Sequence, residues 1–323
     1  MLKSKSKNQI KTNIKDVYIS QVQYKSCGMT IVSSKKKLDF YIDKRGKNIY
    51  GLGTDVLYGH KYTAARAICL VGSSTLGLEG ICGVNQALIE ENGFKHNSLA
   101  IGSCCNSFNM NDRDFTHPDV KLGKYGFKNR DKHLLIGEVG CGVNTRIGKL
   151  YCDWRKTNVV GGQGAFYLEK DKMKCFCIIV LNSIGVVHEN GNLLHKFKVK
   201  SKDITNINQM PKDIAKYLGV DIFDTSVNVD CKNIVKKNPG NTTLTIFLTN
   251  VEYDEDEMKI LSKKLHDVVE SMIYPYGTYY DGDIFFLAST KEIKTTKNYL
   301  NDYKEVVRNA IKSPFIDRPF LDN

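Results

Sequence analysis

The alternation of hydrophobic and polar residues along the chain predicts a protein that mixes strands with helices. Short β-prone runs at 17–19, 29–32 and 38–42 predict strands near the N-terminus. The continuous apolar run at 174–181 is typical of a strand covered on both faces. At 243–249, apolar and threonine positions alternate, which predicts a strand with two distinct faces, and 284–288 predicts a last strand.

Two segments show helical periodicity instead. Ile81, Val84 and Leu88 recur at helical spacing and predict a helix over 73–92, with Gly93 as its C-cap. This helix contains three glycines that would let another backbone approach closely: Gly77, Gly80 and Gly83.

The second helix is predicted over 254–274. Asp254 is its candidate N-cap, and Glu257 follows three residues later. An apolar stripe follows along one face: Met258, Leu261, Leu265, Val268 and Met272. Segments 94–140 and 200–240 are more polar, and the latter is expected to be partly irregular. Strands, two long helices and covered sheet faces together predict one layered α/β domain.

Composition narrows the class of protein. The 323 residues are 41% hydrophobic and 25% charged, which excludes wholesale disorder. No apolar run approaches the roughly 18 residues of a membrane-spanning helix, and no secretory signal is recognised, so a cytoplasmic protein is expected. None of the ten cysteines forms a Cys-x-x-Cys pair. This spacing predicts no metal site, and the lack of a secretory signal predicts reduced thiols.

The positive charge is concentrated at the N-terminus. Residues 1–48 hold twelve Lys or Arg and three Asp, which places +9 of the net +12 there. We interpret residues 1–14 as a basic flexible arm that precedes a domain over 15–323. A non-catalytic protein that binds nucleic acid through this basic face is the rival interpretation. No RNA-binding or helix-turn-helix pattern accompanies the charge, so nucleic acid is not the expected partner.

Common catalytic signatures such as G-x-S-x-G and H-E-x-x-H are absent. The unusual segment is 239–243, where a Pro-Gly turn leads directly into a β-branched strand. Read alone, it is either a plain turn or a site of self-cleavage, in which the Thr242 hydroxyl attacks the Asn241 carbonyl. Cleavage would leave Thr242 with a free α-amine, which titrates near 8 and can serve as a general base.

Several short blocks follow one another along the chain: Ala67–Gly72 with Gly77–Glu79, Gly148-Lys149 with Asp153-Trp154, Gly162–Ala165, Asn182–Val186, Gly240–Thr243 with Thr249–Val251, and Asp281–Asp283. In this order they resemble the 6-aminohexanoate-oligomer endohydrolases (nylon-oligomer hydrolases) of the L-aminopeptidase/D-esterase family of self-processing hydrolases. The resemblance covers roughly residues 15–290.

The resemblance implies a site. Thr242 matches the family's N-terminal nucleophile, created by cleavage after Asn241 into chains 1–241 and 242–323. Lys149 matches the catalytic lysine, which could favour the ionised nucleophile or donate a proton. Asn182 matches the catalytic asparagine, whose side-chain amide could donate to the oxyanion of the tetrahedral intermediate.

Asp281 and Asp283 match the family's paired aspartates. Two residues apart in an extended segment, they face one side, and close carboxylates raise one pKa. They could hold the Thr242 ammonium and relay a proton. The chain departs from the family pattern at Asn106, which falls where the family places a tyrosine that lines the substrate site. This difference affects the expected substrate preference more than the expected chemistry.

The resemblance also implies an αββα sandwich of the N-terminal-nucleophile-hydrolase kind, no cofactor, and a homo-oligomer, expected to be a tetramer of cleaved protomers. The expected function is hydrolysis of internal amide bonds in 6-aminohexanoate oligomers or other linear ω-amino-acid amides. The alternatives are an aminopeptidase acting on small peptides or peptide amides and, less favoured, a related acyltransferase.

Overall fold

A computed structural model gives the fold of most of the chain. It describes residues 9–55, 64–93, 99–107, 116–149, 159–199, 202–210 and 241–316. The strands are β1 Gln9–Lys11, β2 Val17–Tyr24, β3 Cys27–Gly46, β4 Gly51–Leu52, β5 Ala64–Val71, β6 Ala100–Cys104, β7 His133–Leu135, β8 Gly162–Lys170, β9 Met173–Asn182, β10 Val186–Glu189, β11 Asn192–Val199, β12 Lys202–Asn206, β13 Thr242–Val251, β14 Ile273–Tyr274 and β15 Gly282–Ile293. The α-helices are α1 Glu79–Asn92, α2 Val120–Lys128, α3 Glu255–Glu270 and α4 Leu300–Ile316.

The main sheet runs in the order β4-β6-β5-β3-β15-β13-β9-β8, and β2 pairs with β3. Strand β3 is 20 residues long and links the two halves of this sheet. Its first part pairs with β5, and after a register shift its residues 39–46 pair with β15. One strand therefore belongs to both halves, which allows the halves to face each other.

The side chains of the two halves form three apolar layers. The central layer is shared by both halves and includes Ile68 of β5, Ile246 of β13 and Phe286 of β15. On one outer side, α1 and α2 pack on β3 and β5. On the other, α3 and α4 pack on β9, β13 and β15. The order helix, sheet, sheet, helix confirms the predicted αββα sandwich in a single domain.

Strand alternation explains this layering. In β9, Phe176, Ile178 and Val180 point to the central layer, whereas Cys177 and Ile179 point to the helices. Because both faces are apolar, the strand reads as a continuous hydrophobic run, as its sequence predicted. The predicted strand at 243–249 is likewise buried on both faces, since every residue of β13 is buried.

The predicted helices are confirmed with changed bounds. Segment 73–92 forms a 3₁₀ turn at Ser74–Leu78 and then α1, which Gly93 follows with a positive φ of 66°. At α3, Asp254 and Glu257 form the reciprocal capping box. This helix ends at Glu270, earlier than predicted, because the chain then enters β14.

The sequence interpretation missed several elements. Helix α4 was not predicted, although Val306, Val307, Ala310 and Ile311 recur at helical spacing and are buried. Strands β10, β11 and β14 form a second, four-stranded sheet with β12, which lies within the segment 200–240 expected to be partly irregular. Residues 211–240 lie outside the described residues.

The flexible arm predicted for residues 1–14 can be compared with the structure over residues 9–14. Residues 1–8 lie outside the described residues, but Gln9–Lys11 forms β1, paired with β7, and Ile14 is fully buried. The flexible arm predicted for 1–14 therefore does not extend through 9–14. Among the described residues, none of the helices combines the length and apolar character needed to cross a membrane.

The eight cysteines within the described ranges are free thiols, and Cys152 and Cys231 lie outside them.

The glycines of α1 allow the backbone of α2 to approach closely, as the sequence predicted. A Cβ on Gly83 would lie 2.0 Å from the Val120 carbonyl oxygen, and one on Gly123 of α2 would lie 1.9 Å from that of Gly80.

We expect Gly123→Ala to destabilise the protein by about 1–3 kcal/mol, because a methyl group there forces α1 and α2 apart. Thermal or urea unfolding measures this effect. Lys121→Ala, at an exposed position of the same helix, is the matched control and should change stability by less than about 0.5 kcal/mol. Equal stabilities for the two variants would contradict the close contact.

Candidate active site

The sheet brings the ends of three strands to one place. Thr242, the first residue of β13, pairs with Asn182, the last residue of β9, in an antiparallel ladder. Asn241 forms a parallel bridge with Asp281, immediately before β15. Asn182 and Asp281, 99 positions apart in the sequence, therefore meet where the ends of these neighbouring strands come together.

The junction between Asn241 and Thr242 is the centre of this cluster. The Thr242 hydroxyl donates a hydrogen bond of 2.5 Å to the Asn241 carbonyl oxygen. The same oxygen accepts from the Gly282 backbone N–H at 2.9 Å. Both residues are buried, and neither polar atom of the Asn241 side chain has a hydrogen-bond partner among the described residues. Two donors, the Thr242 hydroxyl and the Gly282 N–H, thus polarise the Asn241 carbonyl.

Asn182 and Lys149 form the second part of the site. Lys149 Nζ donates to the backbone oxygen and to Oδ1 of Asn182, both at 2.8 Å. The Arg146 backbone N–H also donates to this Oδ1, at 3.1 Å. Asn182 Nδ2 donates to the Asn106 carbonyl oxygen at 3.0 Å, which uses one of its two hydrogens. The side-chain amide is therefore held on both ends.

Lys149 is buried, with 3% of its surface exposed. Burial lowers its pKa to about 7, and the thiol of Cys105 and the carboxyl of Asp281 oppose the change only partly. A lysine in this state exchanges its proton near neutral pH, which suits proton transfer at the site.

Asp281 and Asp283 accept hydrogen bonds from residues 277–278 and from strand β13. Asp283 accepts from the Thr243 N–H at 2.6 Å and, through its other oxygen, from the Gly277 N–H at 3.1 Å. Asp281 Oδ2 accepts from the Thr278 hydroxyl at 2.7 Å and the Thr278 N–H at 3.1 Å. Its Oδ1 is buried without a hydrogen-bond partner among the described residues. The Ile184 backbone N–H also interacts with this carboxyl and opposes the rise in its pKa that burial causes.

Burial raises the pKa of both carboxyls. For Asp283, the neighbouring Asp281 raises the pKa further, because two like charges disfavour double ionisation. The pair can therefore hold a proton near neutral pH and can accept or release it during a reaction.

The structure brings the predicted site residues to one place, where Asp283 is linked to the others through the Thr243 N–H. Asn106 is half-buried and contributes its backbone carbonyl to Asn182. Asp153 and Trp154, which belong to one of the sequence blocks that resemble the family, lie outside the described residues. Sequence reasoning missed Gly277, Thr278 and the Arg146 amide; a turn directly before Asp281 was the available signal for the first two. Within the described ranges, no three His, Cys, Asp or Glu side chains could hold a metal ion together.

Solved structures define the class of fold. A Burkholderia sp. β-aminopeptidase superposes with a TM-score of 0.61 at 10% identity, covering 93% of this chain and 84% of the other. The L-aminopeptidase D-Ala-esterase/amidase of Ochrobactrum anthropi, described as a variant of the Ntn-hydrolase fold, gives 0.59 at 11% identity, covering 95% and 87%. The protein thus has the fold of the N-terminal-nucleophile hydrolases.

Curated relatives narrow the class. The 6-aminohexanoate-oligomer endohydrolases of Agromyces sp. (strain KY5R) and Paenarthrobacter ureafaciens are each 24% identical over 299 residues, spanning 90% of this chain and 78% of theirs. No family model matches the chain. The resemblance seen in the sequence blocks is confirmed, and the chain is a hydrolase related to the 6-aminohexanoate-oligomer endohydrolases.

The lowered pKa of Lys149 makes stability depend on pH. Between about pH 7 and 10.5 the unfolded chain binds more protons at this group than the folded chain, so this group's contribution to the free energy of unfolding rises with pH. Lys149→Met removes the contribution. We compare the free energy of unfolding of the Lys149→Met variant with that of the protein that keeps Lys149. The variant's value minus the other should be higher at pH 6.5 than at pH 9.5 by about 1 kcal/mol or more.

Urea unfolding at the two pH values measures this difference, with both proteins in a Thr242→Ala background so that the covalent chain is the same. Lys259→Met, at an exposed position of α3, is the control and should show no such pH-dependent difference. A Lys149→Met difference that is equal at both pH values would contradict the assignment.

Proposed function

We propose that the chain is a self-processing amide hydrolase that cleaves itself between Asn241 and Thr242 and then uses the Thr242 hydroxyl as its nucleophile. The observation that supports this most directly is the Asn241 carbonyl, which lies within hydrogen-bonding distance of the Thr242 hydroxyl and the Gly282 N–H. A buried hydroxyl beside a polarised carbonyl of its own chain is the arrangement that an N-to-O acyl shift requires.

In the proposed self-cleavage, Thr242 Oγ1 bonds to the Asn241 carbonyl carbon and the C–N bond breaks. The hydroxyl proton passes to the departing nitrogen, so that an ester and a free α-amine are formed. Water then hydrolyses the ester, which leaves a carboxylate on Asn241 and restores the hydroxyl. During attack the Gly282 N–H stabilises the developing oxyanion, because it already donates to that oxygen.

In turnover, the new α-amine takes the hydroxyl proton as Thr242 attacks a substrate amide, and water later releases the acyl group. Asn182 offers its second Nδ2 hydrogen to the oxyanion. We assign the Asp281 carboxyl to pairing with the α-ammonium, because Asp281 pairs with Asn241, the residue directly before Thr242. Lys149, with a pKa of about 7, and Asp283 supply proton transfer beside it.

We propose linear amides of ω-amino acids, such as 6-aminohexanoate oligomers, as the substrate class, from the names of the curated relatives. Aminopeptidase activity is the second candidate, and the fold shared with the Burkholderia and Ochrobactrum aminopeptidases favours it. A homo-oligomer of cleaved protomers in the cytoplasm stays a prediction.

The first test is self-cleavage. We expect purified protein to separate into residues 1–241 and a fragment of 82 residues whose N-terminal sequence begins at Thr242. Thr242→Ala should remain a single chain and lose amidase activity by more than about 10³-fold, because no nucleophile remains. Denaturing gels, N-terminal sequencing and amide hydrolysis measure these outcomes.

Thr245→Ala is the matched control. Its hydroxyl is buried on the same strand and has no hydrogen-bond partner among the described residues, so cleavage and activity should persist. A wild-type chain that stays intact on prolonged incubation, or an active Thr242→Ala protein, would refute the proposed nucleophile.

The second test separates the two substrate classes by their dependence on the chain end. An endohydrolase should cleave N-acetylated and free 6-aminohexanoate oligomers at rates within about 10-fold of each other, since no contact with the terminal amine is needed. An aminopeptidase should lose most of its activity on the acetylated oligomer. Product analysis by mass spectrometry decides between the two, and activity confined to free-amine substrates would overturn the endohydrolase proposal.

A further inference from the structure

A second group of buried polar side chains lies behind the carboxylate pair. His266 of α3 is fully buried. Its Nδ1 lies 2.8 Å from Asp43 Oδ2, and its Nε2 lies 2.6 Å from the Tyr276 hydroxyl. No step of the proposed reaction uses these three residues, although buried polar groups of this kind cost stability unless they are fully paired.

The charges around the group determine which atoms carry hydrogens. Burial alone would raise the pKa of Asp43, but the His266 hydrogen bond and the Arg45 charge outweigh it and lower that pKa. Burial lowers the pKa of His266. A charged Asp43 accepts from His266 Nδ1–H, which leaves Nε2 of the neutral ring to accept the hydroxyl hydrogen of Tyr276.

The outer end of this chain is anchored at the surface. Arg45 donates to Asp43 Oδ2 at 3.2 Å and to Asp267 Oδ1 at 2.7 Å, and it also pairs with Glu270. Arg45 therefore holds Asp43 from outside the core, and the carboxylates of Asp267 and Glu270 on α3 hold Arg45.

The inner end reaches the site through the backbone. Tyr276 directly precedes Gly277 and Thr278, whose N–H groups donate to Asp283 and Asp281. On the other side, the His266 ring packs on Phe285, with centroids 5.5 Å apart, in the same strand as Asp283. The hydroxyl of Tyr276 therefore fixes the segment that supplies the donors to both carboxylates.

We propose that Asp43, His266 and Tyr276 form a positioning relay that holds the 277–278 backbone donors on the Asp281–Asp283 pair. Only the expected effect of the relay on the rate of self-cleavage rests on the proposed function. Independently of that function, the relay lowers the pKa of the carboxyl pair, since backbone donors favour the charged form. Without the Tyr276 hydroxyl, the donors loosen and the pair holds its proton to higher pH.

Other groups act on the same pair. Lys149 lies on the β9 side, Asp281 and Asp283 act on each other, and the Arg45, Asp267 and Glu270 cluster lies beyond His266. Tyr276→Phe changes none of these charges, because the hydroxyl is neutral, and so it isolates the relay.

The test compares two tyrosine substitutions. Tyr276→Phe removes the relay hydroxyl. Tyr253→Phe is the matched control because it removes a hydroxyl from another tyrosine hydrogen bond, 3.1 Å to Tyr303, that lies outside the site. The titration of Asp281 and Asp283 is followed by carboxyl-carbon NMR of the full chain in a Thr242→Ala background, and self-cleavage rates are measured with Thr242 intact.

We expect Tyr276→Phe to raise the lower apparent pKa of the pair by about 0.5 to 1 and to slow self-cleavage by about 10-fold or more. Tyr253→Phe should change neither. A folded Tyr276→Phe protein with the wild-type titration would overturn the relay. If Tyr276→Phe does not fold, Asp43→Asn is tested in its place, and an unchanged titration there overturns the relay equally.

The two proposals fail separately. If the wild-type chain does not cleave itself, the proposed function is wrong, but the carboxyl titration still decides whether the relay exists. If cleavage occurs and the titration is insensitive to Tyr276→Phe, the nucleophile stands and the relay is wrong.

Discussion

The parallel pairing of β13 with β15 is the constraint on which the rest of the site depends. It places the Asn241 carbonyl against the Gly282 N–H and the Asp281 backbone beside Asn241. A parallel pair cannot be closed by a hairpin and needs a crossover, here provided by α3. The same crossover carries His266 into the core behind the site. The connection from β13 through α3 to β15 therefore brings together the Asn241–Thr242 junction and the two carboxylates, and it places His266 behind them.

Burial of charge gives the site its chemistry. Lys149, Asp281 and Asp283 are each at most 3% exposed, and in isolation each would strongly favour its neutral form. Placed together, the lysine and the carboxylates compensate one another only in part, so their pKa values move toward neutrality from opposite directions. Lys149, with a pKa of about 7, and Asp281, with a pKa of about 6, can therefore exchange protons near neutral pH without a histidine among the proposed catalytic residues.

Local sequence could predict those features that depend on neighbouring residues. The capping box of Asp254 and Glu257 and the covered strand β9 follow from spacing alone. The shared role of β3 in both sheet halves could not be predicted, because a bend with a register shift leaves no periodic signal. The Asp43–His266 contact spans 223 positions in sequence and exists only once α3 packs on β3. The sequence itself pointed to Thr242, at the start of a predicted strand, and the family resemblance supplied the other site residues; the supporting partners were not predicted.

The candidate site is built from both side-chain and main-chain groups. Four of the donors that hold the carboxylates and Asn182 are main-chain amides, those of Thr243, Gly277, Thr278 and Arg146. Main-chain donors require a fold rather than particular residues, and the fold is retained by structures only 10–11% identical to this chain. The main-chain donors therefore depend on the geometry of the strands and of the 277–278 segment, whereas Thr242, Lys149 and the two aspartates depend on the side chain at their own position.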